Sequence, residues 1–104
     1  MEQVKAVQVE ILQLYDQLLR LAPTPVAALN RAVAVAEVDG PQVALAGLEQ
    51  LDLDGYYLFH AIRADLLRRL GRDADAALAY DAAIARTANI AERDFLQRRR
   101  QALP

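Results

Sequence analysis

The sequence predicts an all-α fold of about six helices, and three observations support this prediction. Apolar residues recur three and four positions apart over most of the chain, which is the spacing of one helix face. Alanine, leucine and arginine, which favour helices, are abundant among the 104 residues. No stretch alternates apolar and polar residues as a half-buried strand would. The length and a hydrophobic fraction of 55% are typical of one globular domain, so we expect a single domain over residues 1–104.

The first helix has the most regular pattern. Polar residues such as Lys5, Glu10 and Gln13 lie between apolar residues that are spaced alternately three and four positions apart. The apolar positions are Val4, Val7, Ile11, Leu14, Leu18 and Leu21. This pattern predicts an amphipathic helix of about five turns.

Prolines separate the first helix from the second. Pro23 and Pro25 prevent the first helix from continuing, because proline lacks a backbone N–H and clashes with the preceding turn. Thr24 is a favoured N-cap residue, and Pro25 then occupies the favoured first position of a helix. The second helix is therefore expected to run from about Pro25 to Val38.

A glycine followed by a proline marks the next turn. Gly40 can adopt the left-handed conformation that closes a helix, and Pro41 can open another. The third helix is expected to run from Pro41 to about Leu51. The sequence DLDG, residues 52–55, then breaks the helical pattern.

Three more helices are predicted in the second half of the chain. Residues 56–70 have helical spacing and are followed by Gly71, and Asp73 is expected to cap a fifth helix over about residues 74–86. Asn89 and Glu92 have the spacing of a capping box, in which two side chains bond each other's backbone N–H groups. They predict a last helix that ends at about Ala102.

The two glycine turns indicate a repeat. Gly40 and Gly71 are 31 residues apart, and each is followed by a helix rich in alanine, whose small side chains let paired helices approach closely. Tandem helical hairpins of this period are typical of tetratricopeptide-like (TPR-like) repeats. We therefore expect antiparallel helical hairpins that form two degenerate TPR-like repeats, with the first and last helices capping them. The alternative is a plain helical bundle in which the glycine spacing is a coincidence.

The residues needed for several kinds of catalysis are missing. The chain has no cysteine and no serine, and its one histidine is His60, so a Ser-His or Cys-His nucleophile pair is excluded. A zinc or iron site and a phosphate-binding glycine loop have no matching residues either. His60 with Asp65 or Glu37 would make an acid–base pair, but a histidine packed at the edge of a helix face is the favoured interpretation. We expect no enzyme activity and no cofactor.

The net charge of the chain and its longest uncharged run argue against some classes of partner. The formal net charge of −2 gives no general attraction to nucleic acid. The longest run without charges covers residues 21–30 and contains two prolines, so it is too short for a membrane helix. We expect a cytoplasmic protein without a membrane segment.

Several polar side chains occur where the helical pattern is apolar. Asn30, Arg31 and Glu37 interrupt the second helix, and Arg63 falls in the middle of the apolar arc of the fourth. A buried guanidinium needs partners, because stranding a buried charge costs several kcal/mol. We therefore predict that Arg63 meets Glu37 or Asn30 in a buried polar network that fixes helix register. The alternatives are a ligand or partner site at these residues, or an Arg63 side chain that reaches solvent.

Two surface features are candidates for partner contacts. Tyr56 and Tyr57 follow the DLDG loop, and one of them is expected to be half-exposed. Arg98, Arg99 and Arg100 form a basic end in a slightly acidic chain. A solvated helix end is the favoured interpretation of these arginines, and contact with nucleic acid or an acidic protein patch is the alternative.

Most of the chain resembles a known group of proteins. The segments ALNRAVAVAEVDGP (residues 28–41), HAIRADLLRRLGR (residues 60–72) and NIAERDFLQRR (residues 89–99) are similar to the C-terminal extension of a group of bacterial extracytoplasmic-function (ECF) sigma factors. The resemblance covers roughly residues 11–103. It implies a TPR-like extension that follows the two conserved sigma regions in the full-length protein.

The resemblance also limits what these residues do. The sigma regions that bind polymerase and promoter DNA are absent from the chain, so we expect no direct DNA binding from it. We expect a regulatory domain that contacts the sigma regions of the same full-length protein, core RNA polymerase or a regulatory protein. The alternatives are a helical domain that senses a small molecule and a free-standing TPR-like scaffold unrelated to transcription.

Overall fold

The computed structural model describes residues 2–104, with side chains from Val4 onward, and within this range it contains six α-helices and no strand. The helices are α1 (Glu2–Leu21), α2 (Pro25–Asp39), α3 (Pro41–Leu48), α4 (Tyr57–Arg69), α5 (Asp73–Arg86) and α6 (Ile90–Gln101). The predicted all-α fold is therefore confirmed. None of the described helices combines the length and apolar composition needed to cross a membrane.

The helices form two compact units. The first unit extends to Gln50 and contains α1, α2 and α3, and the second, Leu51–Pro104, contains α4, α5 and α6. Within each unit every helix packs against the next one along the chain, as the predicted helical hairpins require. The single TPR-like domain over residues 1–104 stays a prediction.

Alanine is common in both cores. In the first unit the buried apolar residues are Ala27, Leu29, Ala32, Val35, Ala36, Ala44, Leu45 and Leu48. In the second unit they are Phe59, Ala64, Leu66, Leu67, Ala76, Ala79, Tyr80, Ala83 and Leu96. The small side chains bring the helix backbones close together, and the leucines fill the space on either side.

The turns at Gly40 and Gly71 both need glycine. Gly40 joins α2 directly to α3 with φ 91° and ψ 166°, a region of backbone conformation open essentially to glycine alone. Gly71 follows α4 with φ 73°. There Arg72 N–H donates to Leu67 O at 2.9 Å and Gly71 N–H donates to Arg68 O at 3.0 Å. These two bonds make a Schellman motif, so the turn that follows α4 ends the helix as the sequence predicted.

The predicted caps of α2 and α6 are present. Thr24 Oγ1 accepts a hydrogen bond from Ala27 N–H at 3.2 Å, and Asn89 Oδ1 accepts one from Glu92 N–H at 3.0 Å. The second half of the predicted capping box is different, because the Glu92 carboxylate accepts from the Thr87 hydroxyl at 2.9 Å. The Asn89 N–H donates instead to Thr87 Oγ1 at 3.3 Å.

Two predicted helix ends were wrong. The third helix ends at Leu48 rather than Leu51, because the N–H of Gln50 bonds the carbonyl of Gly47 in a tighter turn. Asp73 does not cap the fifth helix; it is the first residue of that helix, and Arg72 occupies the cap position without a side-chain bond. In the first turn a carboxylate still interacts favourably with the helix dipole.

Replacing Gly71 with alanine tests the turn. We expect Gly71→Ala to destabilise the protein by about 1–2 kcal/mol, because an alanine at positive φ brings its Cβ against the following carbonyl oxygen. Gly47→Ala is the matched control, since Gly47 lies within α3 and an added Cβ meets no atom within 4 Å at either position. The control should be neutral or stabilising by up to about 1 kcal/mol. Urea unfolding followed by circular dichroism measures both changes, and equal effects would contradict this account of the turn.

Candidate functional site

The apolar stripe of α1 is exposed. Its six predicted apolar residues have exposed fractions that run from 42% at Ile11 to 87% at Leu21. The half-buried residues of α1 lie on a different side of the helix: Gln8, Val9, Leu12, Tyr15, Asp16 and Leu19. Asp16 on that side bonds α2, so α1 packs on its neighbour through this second set. The most regular apolar face in the sequence is thus left uncovered in its unit.

An open groove runs between α1 and α2 beside the exposed stripe. It has a volume of about 250 Å³. Its lining residues are Gln8, Ile11, Tyr15, Asn30, Val33, Ala34 and Glu37. Ile11, Val33 and Ala34 make an apolar floor, and the amide, phenol and carboxyl groups provide polar contacts. Such a combination suits recognition of an amphipathic surface.

The structure places two of the predicted network residues at this groove. Asn30 and Glu37 are exposed and seven positions apart, so they lie on the same stripe of α2. Val33 lies between them and is 44% exposed. The polar residues of α2 therefore border an accessible apolar groove.

Arg31 has a partner that the sequence did not identify. Its Nε donates to Asp16 Oδ1 at 2.6 Å and links α2 to α1. Both side chains are about two-fifths exposed, 39% for Arg31 and 42% for Asp16, so the ion pair stabilises the hairpin by less than about 1 kcal/mol. Asp16 was missed because its position in α1 has no distinguishing pattern, and only the packing of the two helices brings it to Arg31.

Arg63 lies half-buried on α4 in the second unit. The pairing of Arg63 with Glu37 or Asn30 stays a prediction. Next to it in sequence, the buried face of α4 holds Ala64, Leu66 and Leu67. Around the axis of α4, Arg63 lies between the buried residues Phe59 and Leu67, so it belongs to the packed face although its side chain is only half-buried.

Polar groups in the second unit hold the DLDG loop. His60 is buried, and its Nε2 is 2.6 Å from Asp54 O. Arg86 Nε donates to the same carbonyl at 2.9 Å. His60 thus takes the packed role favoured by the sequence. Asp65 does not form the alternative acid–base pair, because its carboxylate accepts from Arg68 at 2.6 Å and Arg69 at 3.0 Å.

A second polar cluster holds the junction of α5 and α6. The buried Thr87 hydroxyl donates to Glu92, and the Thr87 carbonyl accepts from Arg93 at 2.9 Å. The same carboxylate acts on Tyr57 at the start of α4. Burial and this carboxylate raise the pKa of Tyr57 above 10.0, because both favour the neutral phenol. Tyr57 is therefore occupied inside the unit, whereas Tyr56 is 48% exposed.

The three arginines at the basic end of α6 do not share the same contacts. Arg100 donates twice to Asp81, at 2.6 and 3.1 Å, and so ties α6 to α5. The Arg99 guanidinium lies 5.3 Å from the centre of the Phe95 ring, and Arg98 is exposed. The three arginines therefore do not form one common basic patch for a partner.

Arg68 joins α4 to α5 in the same unit. Its guanidinium donates to the Asp65 carboxylate at 2.6 Å, which is the main cause of a raised pKa at Arg68, and the Tyr80 side chain contributes to the same shift. Tyr80 is buried, so the charged group supports the hydroxyl of a core tyrosine.

In the part of the chain from residue 2 to residue 104, no three Asp, Glu or His side chains form a group that could hold a metal ion.

Comparison with known proteins adds one relative. An uncharacterized protein of Rhizobium meliloti (strain 1021) is 47% identical over 90 residues, which are 85% of this chain and 21% of that protein. The chain thus spans about a fifth of the length of the relative. No family model matches the sequence. No solved structure matches the chain.

Replacing Glu92 tests the junction of α5 and α6. We expect Glu92→Ala to destabilise the protein by about 1–3 kcal/mol, because the buried Thr87 hydroxyl loses a charged hydrogen-bond partner. Asp94→Ala is the matched control on the exposed side of α6 and should change stability by less than about 0.5 kcal/mol. Thermal unfolding of both variants measures the difference, and similar melting temperatures would contradict the role of Glu92.

The raised pKa of Tyr57 predicts a pH dependence. The folded state holds the phenol proton more tightly than the unfolded state, so the contribution is fully present below pH 10.0 and is lost as the pH rises through the raised pKa. Subtracting the phenolate absorbance titration of Tyr57→Phe from that of the wild type isolates this group. We expect a midpoint above 10.0. A midpoint at or below the ordinary tyrosine value would contradict it.

Proposed function

We propose that the chain is a non-catalytic, cytoplasmic interaction module that regulates an ECF-type sigma factor. The observation that carries this proposal is the apolar groove of the first unit, which is bordered by Asn30 and Glu37 and continues into the exposed stripe of α1. Apolar side chains left accessible in this way mark a surface that contacts another protein.

The groove suits a protein segment better than a small ligand. Its volume of about 250 Å³ is below the roughly 300–1,000 Å³ of ordinary small-molecule pockets. The neighbouring exposed residues Val7, Leu14 and Val33 extend the apolar surface beyond the groove. A helix or loop of another domain would bury more of this surface than a metabolite would.

The sigma-factor part of the proposal rests on the distinctive motifs. ALNRAVAVAEVDGP, one of these three motifs, contains both Asn30 and Glu37, so residues that carry the resemblance also border the groove. The identity of 47% with a protein about four times as long as this chain supports a module that belongs to larger chains. The rest of that relative lies outside the match.

In this proposal the module acts by contact. The groove binds the sigma regions of the full-length protein, core RNA polymerase or a regulatory protein, and the bound state shifts the sigma factor between polymerase-competent and restrained forms. Promoter recognition belongs to the sigma regions, and the TPR-like module contributes no DNA contact. Such a shift requires that the module bind the two forms with different affinities.

A small-molecule sensor is the second candidate. Gln8, Tyr15, Asn30 and Glu37 supply hydrogen-bonding groups around an apolar floor, which is the arrangement that orients a polar ligand. A thermal-shift screen tests this candidate, because a ligand that binds only the folded state raises the melting temperature. A ligand whose effect is lost in Asn30→Ala would favour the sensor over the docking module.

Transcription from the target promoter tests the docking proposal. In the full-length sigma factor we expect Val33→Glu to change output about tenfold, since a carboxylate on the apolar floor weakens docking by about 1.4 kcal/mol. Val43→Glu is the matched control: Val43 is exposed on α3 and does not line the groove. The control should leave output unchanged. If deletion of residues 1–104 leaves both the transcription output and its regulation unchanged, the proposal is wrong.

A further inference from the structure

The exposed stripe of α1 has the spacing of a coiled-coil seam. Positions a of three successive heptads are Val4, Ile11 and Leu18, and positions d are Val7, Leu14 and Leu21. Together they run along nearly the whole 20-residue helix. A strict a and d pattern is narrower than a helix needs for ordinary core packing, and it is the pattern by which two helices wind around each other.

The packed side of α1 leaves this seam accessible. Leu12 and Leu19 are half-buried on the side that faces α2, roughly 120° around the helix from the seam. The seam residues are all at least 42% exposed. An apolar helix face that is left exposed marks a surface for contact with another protein, so the seam of α1 calls for a covering partner.

We propose that two copies of the chain pair through α1 in a parallel, two-stranded seam. β-Branched residues at position a, as at Val4 and Ile11, together with leucine at position d, as at Leu14 and Leu21, favour two strands. In a parallel pair, α1 of the second copy places the same residues at the same heptad positions opposite those of the first. The pairing goes beyond the proposed function, because it gives the chain a second copy of itself as a partner, and the seam shares Ile11 with the groove.

The charges beside the seam fit a second copy. From Val4 onward the e positions are Gln8 and Tyr15 and the g positions are Glu10 and Gln17. In a parallel pair the g residue of one helix faces the next e residue of the other, so Glu10 meets Tyr15 and no like charges oppose each other. The charged residues Lys5 and Arg20 occupy positions b and c, outside the seam.

The area available is sufficient for a reversible dimer. Covering the exposed fractions of the six seam residues removes roughly 500 Å² of mostly apolar surface per copy, about 1,000 Å² in total, the lower limit for a specific interface. Val26 and Val33, one heptad apart on α2 and 58% and 44% exposed, extend the apolar surface next to the seam. We therefore expect association that depends on concentration.

Sedimentation equilibrium of the intact chain is the first test. A mass that rises from monomer to dimer with concentration is expected for the wild type and for Val43→Glu. Leu14→Glu should shift the equilibrium at least about tenfold toward monomer, because it places a carboxylate at the centre of the seam. A wild type that stays monomeric at every concentration overturns the pairing, and it leaves docking at the groove untouched.

Cysteine cross-linking gives a second test that does not depend on a disruptive variant. The chain has no cysteine, so each single substitution reports one position. Under mild oxidation Leu14→Cys should form a covalent dimer, since residues at position d face their own copies in a parallel seam. Gln13→Cys, one residue away at position c, is the matched control and should not. Equal cross-linking of the two variants, or none at Leu14→Cys, overturns the proposed seam.

Discussion

The close approach of alanine-rich helix faces is the packing on which both units depend. Ala64, Ala76 and Ala83 are completely buried, and larger side chains at these positions would push the paired helices apart. A short turn is needed to bring such faces together, and Gly40 and Gly71 provide it with backbone conformations that other residues adopt only under strain. The alanine-rich helix faces and the glycine turns therefore both indicate the hairpins, and for this reason the sequence predicts them.

Polar residues support this packing in both units. Arg31 with Asp16 ties α1 to α2, Arg100 with Asp81 ties α5 to α6, and His60 holds the loop before α4. Each of these side chains, considered alone, could be taken for part of a binding site. Their partners within the unit show that they position helices and loops. The groove of the first unit and the apolar stripe next to it remain accessible for contacts with other molecules.

The groove and the stripe give the first unit two accessible apolar surfaces on one hairpin. Asn30 and Glu37 border the groove, whereas Leu14 and Leu21 belong to the stripe. Pairing through the stripe would cover Ile11, which also belongs to the groove. Self-association and docking at the groove would then compete for part of the same surface.

Local spacing, proline and backbone conformation predict the six helices, the caps of α2 and α6 and the two glycine turns. The end at Leu48 depended on a tighter turn that local preference does not specify, and the start at Asp73 has no side-chain cap to mark it. Two features follow only from the tertiary structure. They are the side of α1 that is packed and the ion pair between Arg31 and Asp16. Periodicity locates an apolar face on a helix, but the face that a neighbouring helix covers depends on how the two backbones cross, and that is a property of the assembled unit.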